Sequence, residues 1–444
     1  MNRVDRNPSF HKFLIIWAGQ FLSMVGSGLT GFALGVYAFE RTGKATWAAL
    51  VTFLAFVPSL LVRPIGGMLA DRFDRRLMMI ISDLGSAAGI ALILPFLWIG
   101  GSGLWPVYVG VTFSSAFVGL LSPAYKASAT DLLTEDQYSK GSGLVQLAES
   151  SRFLLSPFLA GLILSRFGIE AVLIIDIATY LLAVLTVILI RNRMRPERRE
   201  QRDRRDSRWL NELREGWRSV ADNRGVWLLV LIISLVTFFL GFLQTLIGPM
   251  VLSFTDSRTL GTIQSVCAFG MLASSLLLGV ISVGRRYVDI LTVSLIIAGF
   301  AFCLLGMTAN VYCITAAGFL FLAALPFVNM SCDVLVRRNI PNEKQGRAWG
   351  IVGILSQFGF IASYGLAGPL ADHVFNPLLD EGGPLAATVG RVIGTGPGRG
   401  IGFLFIICGL LVVITALVLS RIRSIRGLAA HEREARSTSA ESAS

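Results

Sequence analysis

Charged residues are scarce in this sequence. Only 15% of its 444 residues are Asp, Glu, Lys or Arg, whereas 54% are hydrophobic. A soluble domain carries roughly 25% charged residues and about 45–50% apolar ones, so the composition indicates a protein embedded in lipid. A signal-peptide cleavage pattern is also missing. The first apolar run, 13–39, is too long for the apolar region of a signal peptide, so we expect it to be retained as a helix.

Cysteine and histidine are few and dispersed, which bears on metal and cofactor chemistry. The three histidines are far apart in the sequence, and no CxxC pair occurs. We therefore expect neither a metal site nor a cofactor, and the sequence offers no nucleophile–base constellation that would predict an enzyme. The cysteines lie inside apolar runs, where we expect small buried side chains: Cys267, Cys303, Cys313, Cys332 and Cys408.

Long apolar runs are what the sequence has in abundance. A bilayer core about 30 Å thick requires about 20 apolar residues per helix. The ten-residue alternating segments of a membrane β-barrel do not occur, so the sequence predicts an all-α membrane protein with twelve transmembrane helices. We call them spans 1 to 12, in order 13–39, 46–70, 77–99, 104–125, 141–165, 169–190, 226–254, 260–283, 288–308, 311–335, 348–372 and 401–420.

The basic residues predict how these spans are oriented. If the N-terminus is cytoplasmic, the cytoplasmic segments hold 31 of the 39 Lys and Arg residues and the external segments hold 6. The positive-inside rule therefore predicts that both termini are cytoplasmic. Topology then explains the net charge of +11, and we expect no nucleic-acid partner. Segment 191–224 carries twelve arginines interleaved with seven acids, as in a solvated linker.

The linker divides the chain into two halves that repeat. A shift of 207 residues aligns Ser156 with Ser363 and the triplet Leu-Ala-Gly at 159–161 with the same triplet at 366–368. A six-helix unit used twice is a transporter architecture with the substrate near the middle of the membrane. The predicted domains are a cytoplasmic N-terminus 1–12, a first six-helix bundle 13–190, the linker 191–224, a second bundle 225–420 and a cytoplasmic tail 421–444.

A highly charged turn, DRFDRR, separates spans 2 and 3. Gly67 and Asp71 lie one helical turn apart and share a face, so a neighbouring helix can approach the glycine closely. Asp71 can accept hydrogen bonds from arginines or lie at a helix N-terminus. Such a charge cluster predicts a gating motif at the cytoplasmic face, with Asp83 as an expected partner of the arginines. Its residues are Gly67, Asp71, Arg72, Arg75, Arg76 and Asp83.

These residues resemble the G-xxx-D-R-x-G-R-R/K loop of the major facilitator superfamily, with Asp74 where the pattern usually has Gly. In span 5, SPFLAG resembles the G-P-x-L-G-G antiporter pattern of that superfamily, through Ser156, Pro157 and Gly161. Segments GRAWGIVG, GLAGPLADHVFNPLL and GTGPGRGIG are similar to those of macrolide-efflux-type drug:proton antiporters. The chain is thus identified as a member of a bacterial exporter branch that also includes enterobactin-exporter-type proteins.

The resemblance implies a proton-driven exporter in the bacterial plasma membrane, acting as a monomer on a small-molecule substrate without ATP. It also implies that spans 1, 4, 7 and 10 line the substrate cavity. Their aromatic, weakly charged surface suits amphipathic, neutral or weakly cationic compounds. Candidate cavity residues are Gln20, Ser23, Phe117, Phe238, Gln244 and Asn329. Two alternatives stay open, namely export of one endogenous product such as a siderophore or lysolipid, and a non-transporting sensor or scaffold.

Carboxylates within spans are candidates for proton coupling. An ionised side chain at the centre of the membrane costs on the order of 2.5–3.5 kcal/mol on the insertion scale. Glu149 in span 5 is either a proton site or half of an i,i+3 pair with Arg152, and Asp176 in span 6 is either a proton site or a hydrogen-bond acceptor. Glu40, at the outer end of span 1, is a third candidate or a solvated residue. Asp333 is expected to pair with Arg337.

A possible phosphate-binding loop proves to be a false lead. RTGKAT, residues 41–46, contains the Gly-Lys pair of such a loop, but Ala38 stands where the first glycine is required. The predicted topology also places this segment outside the cell. We therefore expect no ATP site.

Overall fold

The computed structural model describes residues 9–99, 103–191, 217, 224–281, 286–340 and 342–421. These residues are almost entirely helical, and no strand occurs among them. The helices are α1 Phe10–Thr42, α2 Ala45–Arg72, α3 Arg75–Ala91, α4 Leu94–Ile99, α5 Trp105–Leu132, α6 Tyr138–Leu154, α7 Ser156–Arg191, α8 Arg224–Leu252, α9 Ser257–Val280, α10 Tyr287–Met307, α11 Val311–Asn339, α12 Asn342–Leu370, α13 Asn376–Leu379, α14 Gly390–Ile393 and α15 Arg399–Arg421.

Eleven helical segments within the described ranges are long and apolar enough to cross a membrane, and one of them contains two spans. Helix α7 is broken at Gly168, whose backbone has φ 78° and ψ 180°. Two glycines only two residues apart in α1 show that the chain reverses there, because Gly26 lies against Asp176 and Gly28 against Ser156. Twenty residues of continuous helix would separate those contacts by about 30 Å. The predicted all-α fold with twelve transmembrane helices is therefore confirmed.

Several helices extend beyond the apolar runs from which they were predicted. Helix α1 begins at Phe10 because Ser9 caps it, with the Lys12 amide donating to the Ser9 hydroxyl. Helix α11 continues to Asn339, four residues past the predicted end of span 10. There Arg337 and Asp333 form the expected pair, with 2.9 Å between Nε and Oδ2. Hydropathy detects the part of a helix in lipid, whereas polar turns outside the lipid remain helical.

The described residues form two compact units. The first comprises Met1–Arg202 together with Thr255–Ser265, and the second comprises Asp203–Phe254 with Val266–Ser444. The first turns of α9 therefore belong with the first unit. Most of the predicted terminal segments 1–12 and 421–444 and of the linker 191–224 lies outside the described residues.

The same glycine–serine contact occurs in each unit. In the first unit, a methyl group on Gly28 of α1 would overlap the hydroxyl of Ser156. In the second, a methyl group on Gly241 of α8 would overlap the hydroxyl of Ser363. The two serines are the residues that the 207-residue shift aligns. The sequence repeat is thus also a repeat of helix packing, because a small residue on each side lets the backbones approach.

Glycines bring α10 and α15 of the second unit into backbone contact. A methyl group built on Gly299 would lie 2.7 Å from the carbonyl oxygen of Gly409. One built on Gly306 would overlap the carbonyl oxygen of Gly402 and lie 2.9 Å from its carbonyl carbon. Backbone atoms cannot move aside as a flexible side chain can. These positions therefore require glycine for packing.

We predict that Gly306→Ala destabilises the protein by about 1–3 kcal/mol, the range for overpacking a close contact. The matched control is Gly279→Ala in the same unit, where no heavy atom of the described residues lies within 4 Å of the added methyl group. Alanine favours the helix by up to about 1 kcal/mol over glycine, so the control is neutral or stabilising. Thermal unfolding of the purified variants in detergent measures both. Equal melting temperatures would contradict the close contact.

Candidate functional site

The charged turn between α2 and α3 is organised by Asp74. This residue caps α3, because its Oδ1 accepts a hydrogen bond from the Arg76 amide at 3.0 Å. Its Oδ2 also lies 3.2 Å from Nε of Arg191, the last residue of α7. Asp74 is the position that departs from the glycine of the resembled loop. A carboxylate here gives the turn a helix cap and a contact to α7 that glycine cannot provide.

Arg75 joins this turn to α5. Its Nη1 lies 2.8 Å from Oδ1 of Asp131 and donates to the Ala127 carbonyl at 2.7 Å. The side chains of Arg75 and Asp131 are only 15% and 21% exposed. The expectation that Asp83 pairs with these arginines is wrong, since Asp83 is buried in α3 and accepts a hydrogen bond from Gln20 Nε2 at 2.8 Å. Asp83 was misassigned because it lies close to these arginines in the sequence, whereas in the folded chain its side chain contacts Gln20 of α1.

The other members of the predicted gating motif have different surroundings. Among the described residues no heavy atom lies within 4 Å of a methyl group built on Gly67, so the close helix approach expected there is wrong. The approach occurs one residue earlier, where a methyl group on Gly66 would lie 2.9 Å from the Leu120 Cα. Arg72 is exposed and Arg76 is half-buried. The side chain of Asp71 lies outside the described part of the chain.

The predicted antiporter motif packs against the start of α9. A methyl group on Gly161 would lie 2.6 Å from the Ser257 carbonyl oxygen, and one on Gly261 would overlap the Pro157 carbonyl oxygen. The Phe158 amide donates to the Ser265 hydroxyl at 3.2 Å. Ser156 is buried on the other side, where its hydroxyl donates to the Val25 carbonyl of α1 at 2.9 Å. The motif thus lies between α1 and α9, and its backbone is in close contact with that of α9.

Asp256 fixes the start of α9 at this contact. Its Oδ1 accepts a hydrogen bond from the Thr259 amide at 2.8 Å. Hydrogen bonds from Thr259 stabilise the carboxylate and hold the pKa of Asp256 below its usual range. Gly261 and Asp256 were not predicted as part of the site. An Asp just before an apolar helical run is a helix-start signal, which could have located the cap.

The three candidate proton-coupling carboxylates differ in burial. Glu40 is exposed near the end of α1. Glu149 is half-exposed and lies 3.8 Å from Lys126 Nζ, so the ion-pair partner found is Lys126 and not Arg152, the partner in the alternative interpretation. Asp176 is 1% exposed and accepts a hydrogen bond from the Thr30 hydroxyl at 2.6 Å.

The candidate cavity residues are distributed over both units. Within the first unit Gln20 and Ser23 are buried, and the ring of Phe117 lies directly against Gly85. Within the second, Phe238 packs on the Phe239 and Phe242 rings, with centroids 5.6 and 4.8 Å away. Gln244 Oε1 accepts a hydrogen bond from the Tyr364 hydroxyl at 2.6 Å, and Asn329 is exposed.

Metal-binding groups and cysteines can be assessed over the described ranges alone. No group of three or more His, Cys, Asp or Glu side chains there could hold a metal ion. Cys267, Cys332 and Cys408 are buried thiols. Cys313 is exposed, so the expectation that every cysteine is buried is wrong for this residue. It lies near the start of α11, two residues after Val311.

Relatives of this chain include bacterial efflux, transporter and drug-resistance proteins. Macrolide efflux protein A of Streptococcus pyogenes is 24% identical over 94% of this chain and 97% of that protein. YfiS of Bacillus subtilis (strain 168), an uncharacterized MFS-type transporter, is 25% identical over 91% of each chain. Multidrug resistance protein MdtG of Escherichia fergusonii is 26% identical over 42% of this chain and 45% of that protein.

Solved structures of transporters share the fold at low sequence identity. The nucleoside transporter NupG superposes with a TM-score of 0.68 at 13% identity, covering 93% of this chain and 99% of that one. A bacterial homologue of the human lysosomal transporter Spinster, in an inward-facing and unoccupied conformation, gives 0.68 at 13% identity, covering 94% and 98%. The sequence profile of the Major Facilitator Superfamily matches residues 16–364. The chain therefore belongs to the Major Facilitator Superfamily of membrane transporters.

Proposed function

We propose that this transporter exports amphipathic small molecules, of the drug or macrolide class, from a bacterial cell in exchange for protons. The observation that carries the proposal is the similarity to macrolide efflux protein A, because it covers 94% of this chain and 97% of that protein. A match of that extent includes both six-helix halves. Alternating access between the halves is the transport mode of such duplicated bundles.

The proposed location is the bacterial plasma membrane, with both termini in the cytoplasm and the monomer as the working form. The distribution of Lys and Arg supports this orientation. In this proposed orientation, the turn between α2 and α3 lies in the cytoplasm and the start of α9 lies on the external side. The Arg75–Asp131 pair, with 2.8 Å between Nη1 and Oδ1, would then fix the cytoplasmic ends of α3 and α5.

The first unit offers a carboxylate suited to carrying a proton. Asp176 is 1% exposed, and its Oδ2 accepts a hydrogen bond from the neutral Thr30 hydroxyl, while its Oδ1 has no hydrogen-bond partner among the described residues. Burial without a full set of hydrogen-bond donors disfavours the ionised form of this carboxylate. A change in its access to water during transport would therefore let Asp176 bind or release a proton. Glu40 and Glu149 are more exposed and lack this property. We assign the coupling proton to Asp176.

The contact between the antiporter motif and α9 would seal the transporter against proton leak. Gly161 and Gly261 allow the backbones of α7 and α9 to meet, and the Phe158–Ser265 hydrogen bond satisfies an amide there. A tight contact leaves no space for a continuous water path. The seal would belong to the external side in the proposed orientation.

The transport proposal predicts reduced drug accumulation in expressing cells. Bacteria producing the chain should retain severalfold less radiolabelled erythromycin than cells with empty vector, and a protonophore should abolish the difference. The control is the same comparison with an energy source but no protonophore. Erythromycin export that persists after collapse of the proton gradient would disprove proton coupling. Export of one endogenous product alone, with no effect on erythromycin, would favour a dedicated exporter.

The proton assignment predicts that Asp176→Asn lowers proton-driven erythromycin export at least tenfold. Asparagine keeps an acceptor for the Thr30 hydroxyl but cannot bind and release a proton. The comparison variant is Glu40→Gln, which makes the same kind of change at an exposed carboxylate and should alter export less than twofold. Initial rates in proteoliposomes with an imposed proton gradient measure both. Full activity of Asp176→Asn would move the assignment to another group.

The charged turn between α2 and α3 predicts a large coupling free energy between Arg75 and Asp131. Both side chains are mostly buried, so removal of one charge leaves the other poorly solvated. A double-mutant cycle with Arg75→Ala and Asp131→Ala, measured by thermal unfolding, should give a coupling free energy larger than the roughly 0.2–1 kcal/mol typical of exposed pairs. The Asp74–Arg191 pair, with side chains 38% and 43% exposed, is the control and should stay within that range. Equal coupling in the two cycles would contradict the interpretation.

A further inference from the structure

The start of α15 contains an arginine that is almost completely buried. Arg399 is the first residue of this helix and is only 5% exposed. Its Nη2 donates a hydrogen bond to the carbonyl oxygen of Gly306, near the end of α10, at 2.8 Å. Its Nε and Nη1 are buried and have no hydrogen-bond partner among the described residues. A guanidinium group carries five N–H donors, so one hydrogen bond leaves most of them unsatisfied.

The positive charge of Arg399 also lacks a negatively charged partner. No ion pair in the described part of the chain involves this residue, and the first turn of α15 contains no acidic residue. Asp380 and Glu381, the nearest acids in the sequence, are exposed. The N-terminus of a helix adds a partial positive charge of its own. Because a buried charge without a partner is costly, this arrangement favours the binding of an anion.

The glycine-rich loop before α15 leaves space beside this guanidinium group. Apart from its own chain neighbours, a methyl group built on Gly394 would have only Nε and Cδ of Arg399 within 4 Å, at 3.6 and 3.9 Å. Gly394 and Thr395 are exposed, so this part of the loop lies at the surface. Gly394 and Gly396 have φ 90° and 101°, which side chains other than glycine rarely allow. The loop thus keeps the approach to Nε free of side chains.

We propose that Arg399 and the start of α15 form a binding site for a phosphate oxyanion. An oxyanion that enters beside Gly394 can accept hydrogen bonds from the free donors of Arg399, and the helix N-terminus stabilises its negative charge. The planar, weakly hydrated guanidinium group suits phosphate particularly well. The phosphate belongs either to a lipid headgroup or to inorganic phosphate. Exposed Val392 nearby in the sequence offers an apolar contact to a lipid chain.

A purely structural role for Arg399 would consist of the hydrogen bond that joins α15 to α10. The backbones of these helices already meet at Gly306 and Gly402, where a methyl group on Gly306 would overlap the Gly402 carbonyl oxygen. The hydrogen bond from Nη2 therefore adds to a contact that close packing already provides. A structural role also leaves the burial of Nε and Nη1 without partners unexplained, whereas an oxyanion satisfies both the donors and the charge.

Hydrogen–deuterium exchange of the full chain in detergent tests the site, because it localises binding to the amides of segment 394–402. Dioleoylphosphatidylglycerol should slow exchange of these amides severalfold in the wild type. Dioleoylglycerol, which has the same acyl chains but no phosphate, should leave their exchange unchanged. Inorganic phosphate forms the second arm of the test. Protection by the phospholipid alone identifies a lipid headgroup as the ligand, whereas protection by inorganic phosphate as well shows that the free oxyanion is sufficient.

Arg399→Gln should weaken the apparent affinity for the protecting ligand at least tenfold, because glutamine removes the positive charge and the guanidinium donors. The matched control is Arg391→Gln, which removes the same charge from an exposed arginine of α14 and should change the affinity less than twofold. If Arg399→Gln does not fold, Arg399→Lys replaces it, since lysine keeps the charge but lacks the guanidinium fork, and binding should weaken at least threefold.

Three results would overturn the inference. The first is unchanged exchange of segment 394–402 with both phosphate ligands, and the second is equal protection by dioleoylglycerol. The third is a wild-type affinity in Arg399→Gln or, where that variant does not fold, in Arg399→Lys. The test does not measure erythromycin export, so its outcome is independent of the proposed transport function.

Discussion

The free-energy cost of placing a charge in hydrocarbon governs this structure. An ionised side chain at the membrane centre costs on the order of 2.5–3.5 kcal/mol on the insertion scale, so charges concentrate at helix ends. The turn between α2 and α3 shows the result. Asp74 caps α3 and contacts Arg191, while Arg75 contacts Asp131 at 2.8 Å. Asp83 and Asp176, which are buried within helices, are two exceptions that call for a functional explanation.

Small residues satisfy the second constraint, which is the association of helices in lipid. Lipid tails are as apolar as leucine, so hydrophobicity does not drive helices together, and close packing must do so. The Gly28–Ser156 and Gly241–Ser363 contacts meet this need in the two units, as do the glycines of α10 and α15. The same device brings Gly161 and Gly261 together at the antiporter motif. Helix packing in both units and at residues 156–161 therefore depends on the same type of contact.

The candidate site was predictable where the interacting residues lie close together in the sequence. Span boundaries, the charged turn, the Asp333–Arg337 pair and the motif at 156–161 all follow from short-range patterns. Partners distant in sequence were not predictable. Asp131 lies 56 residues from Arg75, and Gln20 lies 63 residues from Asp83. The approach assigned to Gly67 belongs to Gly66, because a shift of one residue rotates a helical position by about 100°, given 3.6 residues per turn.

The sequence by itself determined that this is an all-α membrane protein of twelve spans in two repeated halves, because hydropathy and repeat spacing are properties of the chain alone. It also marked the superfamily through residues 67–76 and 156–161. Only the tertiary structure decided which charges meet, since a pair such as Arg75–Asp131 depends on how α3 and α5 pack. It likewise placed Asp83 and Asp176 against one face of α1. Side-chain direction on packed helices, which no linear pattern encodes, decided that arrangement.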